Sequence, residues 1–225
     1  MASFHNLLPT DLLNRRTMAM FLVIWAASCW NVSYPPEFFA MQHVPTLAAT
    51  AALIIAERKL RISRRSFALI IAFLLLHLVG ARYLYSFVPY DDWSQKILGF
   101  RIGERMGFER NQYDRVVHFC FGLLFTYPLW EVFTRHARLR GWWPGVLAIS
   151  VVLAASAVYE IGEWATAMTF APDWAEAYNG QQGDPWDAHT DIVRAPFRVD
   201  QRDDSRYKRH VGVARIAHVG HCSHL

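Results

Sequence analysis

Ser66-Phe67-Ala68-Leu69-Ile70-Ile71-Ala72-Phe73-Leu74-Leu75-Leu76-His77-Leu78-Val79 opens an apolar run that extends to Val88. An unbroken block of about eighteen apolar residues is long enough to cross the hydrocarbon of a bilayer. The run has no amphipathic period, so it is not the one-sided face of a soluble helix. Of the 225 residues, 53% are hydrophobic, and they fall in several such blocks. A water-soluble core is therefore the weaker reading. The expected fold is all-α, a polytopic transmembrane bundle of about five spans with an irregular basic C-terminal tail.

Working outward, the spans read as about Thr17 to Tyr34, Phe38 to Ala56, Ser66 to Val88, Asp114 to Phe133 and Trp143 to Phe170. Pro35-Pro36 bounds the first. Gln42, His43 and Pro45 interrupt the second. The expected division is a membrane domain over residues 1–191 and a poorly ordered polar tail over 192–225.

The net charge of +4 comes from the tail. Residues 1–191 carry sixteen Lys/Arg and sixteen Asp/Glu, whereas 192–225 carry seven and three. A neutral, apolar body without a nucleic-acid motif gives no reason to expect a nucleic-acid partner. Cys29, Cys120 and Cys222 form no CxxC pair, so no disulfide scaffold or cysteine zinc site is indicated.

Short loops rich in Lys and Arg mark the cytoplasmic side. Arg15 and Arg16 precede span one. Arg58, Lys59, Arg61, Arg64 and Arg65 follow span two, and Arg135, Arg138 and Arg140 follow span four. Five spans put all three groups on one side, with the N-terminus cytoplasmic. The segment from Pro89 to Tyr113 has mixed charge and gives no clear vote.

This topology brings three distant clusters to one membrane depth. Asp114, Arg115 and His118 sit at the outer end of span four. Tyr159, Glu160 and Glu163 lie in the outer half of span five. The segment Gly183 to Asp191 follows on that side. Ionisable groups inside a membrane are expensive, so such a cluster is a functional-site hypothesis by default. Asp114 and His118 share a helix face. One reading is a dipole-stabilised acid beside a hydrogen-bonded histidine. The other is a ligand histidine oriented by Asp114. Glu160 and Glu163 read as a metal ligand and a general base, or as partners of Arg115. Asp184 and Pro185 suit a helix start, which leaves Asp187 and Asp191 as the acids for a cation, or for pairing with Arg115. The metal set is thus His118, Glu160, Glu163, Asp187 and Asp191. The catalytic set is Asp114, His118, Glu160 and Glu163, with Arg115 and Tyr159 for substrate. His77, Arg82 and Tyr85 lie in or near span three. His77 reads as a satisfied interior histidine, and Arg82 as lining the site or meeting headgroups.

Arg110-Asn111-Gln112-Tyr113-Asp114-Arg115-Val116-Val117-His118-Phe119, Tyr159-Glu160-Ile161-Gly162-Glu163-Trp164 and Gln182-Gly183-Asp184-Pro185-Trp186-Asp187-Ala188-His189-Thr190-Asp191 together resemble the YjdF-like bacterial inner-membrane proteins. That family has no assigned function, and the resemblance runs from about Arg15 to Asp191. More distantly, the pattern is similar to VanZ-like membrane proteins, tied to glycopeptide resistance. The resemblance implies an inner-membrane location and a further apolar span after the acidic motif. Residues 192–225 have no run of that length. This makes a reading-frame change or truncation one expectation, and a genuine basic tail the other.

The functional expectation is a multi-pass inner-membrane protein with an outer-facing His/Asp/Glu cluster. Its partner is the bilayer. The first function class is a divalent-metal-dependent enzyme acting on a lipid or envelope substrate. The alternatives are a small proton-coupled transporter and a non-catalytic structural membrane protein.

Overall fold

The computed structural model describes residues 9–32, 34, 36–170, 189 and 192. Among these residues the fold is entirely helical: α1 (Leu12–Ser28), α2 (Pro36–Leu60), α3 (Arg64–Tyr83), α4 (Tyr90–Leu98), α5 (Ile102–Met106), α6 (Tyr113–Arg135) and α7 (Trp143–Phe170). Among the described residues four helices are long and apolar enough to cross a membrane, within Phe38–Leu60, Arg64–Tyr83, Tyr113–Arg135 and Trp143–Ala165.

The expected first span differs from the other four. Asp11 caps α1 by accepting from the backbone N–H groups of Leu13 at 2.9 Å and Asn14 at 3.2 Å, so the helix starts before Arg15 and Arg16. It ends at Ser28. Its 17 residues rise about 25 Å, less than the roughly 30 Å of hydrocarbon. Span three also ends early, at Tyr83, because Leu84 and Tyr85 both adopt left-handed backbone conformations with φ of 50° and 52°. Span two survives its proline: Pro36 occupies the favoured first helical position, and α2 continues through Pro45.

α3 is the central element and packs against α1, α2 and α6, while α7 packs on the far side of α6. Met18 and Phe21 of α1, Leu53 of α2, and Phe67, Ile71 and Leu74 of α3 form one buried cluster. Val23, Leu47, Leu123 and Val158 are at least 60% exposed, as expected of side chains that face lipid. Lipid tails are as apolar as these side chains, so association of the helices rests on close packing and internal polar contacts.

The polar contacts at one end are helix caps supplied by neighbouring helices. Glu57, near the end of α2, accepts from Thr10 N–H at 2.9 Å, Thr10 Oγ1 at 2.9 Å and Asp11 N–H at 3.1 Å. Glu131, near the end of α6, accepts from Ser63 N–H at 3.0 Å and Ser63 Oγ at 2.8 Å, and also from Ser66 Oγ and Arg135. Each carboxylate thus meets the positive end of a helix dipole. Arg64 closes this end by donating to Asp11 at 2.7 Å. The turns carrying Arg58 to Arg65 and Arg135 are joined here, since His136 contacts Leu60 O and Arg135 donates to Arg61 O. The basic segments therefore gather at one end of the bundle.

Candidate functional site

The entry to α6 is held at the opposite end. Asn111 Nδ2 donates to Val88 O at 2.8 Å, and its Oδ1 accepts from Tyr113 N–H at 3.0 Å. Gln112 N–H donates to the Tyr90 hydroxyl at 3.2 Å. Burial raises the Tyr90 pKa, so this hydroxyl stays neutral. Tyr113 Oη donates to Leu76 O at 2.9 Å, tying the first turn of α6 to α3. These contacts set the height and rotation of α6, and so the positions of Asp114 and His118.

His118 Nε2 lies 3.2 Å from Glu160 Oε1 and 3.7 Å from Asp114 Oδ1. Ligand atoms of His118, Glu160 and Glu163 all fall within 4.8 Å of one another, and all three residues are buried. The helical repeat produces this meeting. Asp114 and His118 stand one turn apart on α6, and Glu160 and Glu163 one turn apart on α7. The Tyr159 ring meets His118 edge-on at 6.1 Å between centroids.

A cavity of about 300 Å³ opens beside this cluster. Asp114, His118, Tyr159 and Ser156 contribute polar groups from α6 and α7. Thr46, His77 and Tyr85 do so from the other wall. Thr46 Oγ1 contacts His77 Nε2 at 2.7 Å, and Tyr85 Oη contacts His77 Nδ1. The left-handed turn at Leu84 and Tyr85 folds the Tyr85 ring back over Gly80. A Cβ at Gly80 would stand 2.5 Å from that ring, so only glycine admits this approach.

Of the expected site residues, Asp114, His118, Glu160, Glu163 and Tyr159 come together. Arg115 donates to Gln112 Oε1 at 3.3 Å, at the start of its own helix. Asp187 and Asp191 lie outside the described residues, and of their segment only the exposed His189 and the half-buried Ile192 are described. His77 is a satisfied interior histidine, as expected, yet it also lines the cavity. Arg82 has a structural role. It donates to Ser28 O at 2.8 Å and Trp30 O at 2.7 Å, closing the C-terminal end of α1. Thr46 and Ser156 were not singled out from sequence. Ser156 had a signal, standing one turn before Glu160 on the same face, whereas Thr46 depends on how α2 meets α3.

Fold and site together define a multi-pass helical membrane protein with a buried histidine–carboxylate cluster at the end opposite its basic turns. The chain belongs to the family described as Predicted membrane protein (DUF2238), which it matches over residues 16–196. It is 31% identical to the inner membrane protein YjdF of Escherichia coli (strain K12) over 156 residues, 69% of this chain and 70% of that relative. No solved structure matches it. The family, the relative and the apolar helices agree on a bacterial inner membrane.

Proposed function

We propose that His118, Glu160 and Glu163 hold one divalent cation and that this centre serves a metal-dependent enzyme acting on a lipid or envelope substrate. The observation that carries this reading is the approach of three potential ligand atoms, buried and within 4.8 Å of one another, from two different helices. Buried carboxylates crowded around one imidazole are costly unless a cation joins them. An imidazole with two carboxylates suits Zn²⁺, Mn²⁺ or Fe²⁺. In this reading the cation would lower the pKa of a bound water, and Asp114, 3.7 Å from the same Nε2 that faces Glu160, would accept the proton. Tyr159 would position substrate, and Arg115 would meet an anionic group at the rim. Asp187 and Asp191 would complete the ligand set if the acidic segment returns to this end.

The basic turns support a cytoplasmic N-terminus and a periplasmic cluster by the positive-inside rule. The residues between His118 and Glu131 on α6 include no acid, base or histidine, and neither do Trp143 to Val158 on α7. That spacing favours a one-sided site over a proton relay across the bilayer.

Metal analysis of the full chain purified after loading with Zn²⁺ or Mn²⁺ tests the proposal. One ion per chain is expected, lost in both His118→Ala and Glu163→Gln while helicity and monodispersity persist. An ion-free wild type, or an ion retained by both variants, would overturn it.

A further inference from the structure

The cavity's walls change character with depth. Near the cluster they carry Asp114, His118, Tyr85 and Tyr159. Farther along α6, Phe121 and Phe125 stand roughly 5 and 10 Å below His118 by helical rise. Phe73 of α3 packs against both, at 5.4 and 5.2 Å between centroids, and forms an aromatic floor. Ala49 and Ala155 leave room above it from opposite walls.

Two further observations point to a ligand and to its route. Ser156 is 2% exposed, lines the cavity, and its Oγ has no hydrogen-bond partner among the described residues. A buried hydroxyl left without a partner is uncommon, because its desolvation is uncompensated. The second is the mouth. Among the described residues the closely packed pairs run α2 with α3, α3 with α6 and α6 with α7, and both α2 and α7 line the cavity. Pro45 on α2, and Ala155 and Tyr159 on α7, line the cavity and are themselves exposed, so its open side lies along these two helices. An opening flanked by lipid-facing side chains admits molecules from the bilayer more readily than from water.

We infer that the cavity takes one hydrocarbon chain of a membrane amphiphile, entering sideways between α2 and α7. The chain lies against Phe73, Phe121 and Phe125. An oxygen near the head of the chain accepts from or donates to Ser156 Oγ. The polar head reaches the cluster one turn above. The head-group half of this inference rests on the proposed cation, and the chain half does not.

The test uses the full chain in lipid nanodiscs and two photoreactive probes, a diazirine-bearing decyl phosphate and the matching decanol. Irradiation followed by peptide mass spectrometry should find adducts on the segments carrying Phe73, Phe121 and Phe125. Ala155→Trp and Ala49→Leu fill the cavity from opposite walls. Whichever of them stays folded should cut these adducts, Ala155→Trp by more than about tenfold, since several methylene contacts are lost. Ser156→Ala should weaken labelling about fivefold, the effect of one hydrogen bond. Excess inorganic phosphate that competes with decyl phosphate but not with decanol would assign the head to the cation proposed at the cluster. Adducts confined to Val158, Ile161 and other lipid-facing positions, or undiminished in a folded cavity-filling variant, would overturn the inference. Floor adducts on a protein that binds no metal would overturn the cation alone. Their absence on a metal-loaded protein would overturn the chain alone.

Discussion

Both ends of this bundle bury carboxylates, but they surround them differently. At the basic end, Glu57 and Glu131 face backbone N–H groups and hydroxyls at the starts of α1 and α3. There the acid satisfies donors that every helix leaves open at its first turn. At the other end, Glu160 and Glu163 lie across from an imidazole, with Asp114 beside it. Among the described residues no hydrogen bond from a helix start to Glu160 or Glu163 parallels those to Glu57 and Glu131. The contrast teaches that burial of an acid is not by itself a functional mark. Its partners matter: donors from a helix terminus mark an architectural role, whereas acids gathered around a histidine are what motivates the proposed cation.

The largest expected effect breaks or upholds this contrast directly. Glu131→Gln puts an amide where four donors converge and should cost about 2 kcal/mol of stability. Glu160→Gln should cost less than half of that, because it relieves crowding among carboxylates as well as losing a contact. Denaturation in detergent, followed by circular dichroism, compares the two. Equal losses would make Glu160 an architectural residue and remove the distinction.

The distinction was partly legible in the sequence. Asp114 with His118, and Glu160 with Glu163, have helical spacing, and counting antiparallel spans brings both pairs to one end. That reasoning needs only length, apolarity and the placement of Arg and Lys. Position along a span is set by such local quantities, whereas rotation about its axis and the exact ends are not. Hence Arg82, at the right depth, turned out to cap α1, and α1 itself began at Asp11, whose capping role the Arg15-Arg16 boundary obscured. The roles of Glu57 and Glu131 also went unread, because each depends on a helix start in another part of the chain. Tyr85 was noted only as near span three. Its approach to His77 requires two consecutive left-handed residues, neither of them glycine, which no propensity would favour.

That strained turn allows a finer comparison within the cavity. Backbone strain of this kind persists only where surrounding contacts over-determine it. Tyr85→Phe keeps the ring over Gly80 but removes the hydroxyl from His77. The expected loss is about 1 kcal/mol of stability. Bound cation should be unchanged, since Tyr85 touches the opposite wall from the ligands. A thermal scan with metal analysis on the same sample checks both. Loss of the ion in this variant would mean that the two walls act as one site.

The smallest effect lies at the basic end, where Asp11 pairs with the exposed Arg64. The Arg64 guanidinium, hydrogen-bonded to the carboxylate, holds the Asp11 pKa below its ordinary value of 3.8. Asparagine is also a good N-cap, so Asp11→Asn keeps the start of α1 and removes the charge. A carboxyl with a depressed folded pKa contributes stability above its unfolded pKa and loses it as the pH falls through the folded value. Wild type should therefore melt slightly above Asp11→Asn at neutral pH, and the two should converge as the pH falls below 3.8 and through the depressed folded value. Exposed pairs are weak and salt-screened, so the neutral-pH gap should also narrow on going from low salt to about 1 M. A gap that persists in acid and in salt would show that the charge pair with Arg64 is not what Asp11 contributes. Arg64 would then hold only the outer surface of the basic end, leaving Glu57 as the acid that secures α1.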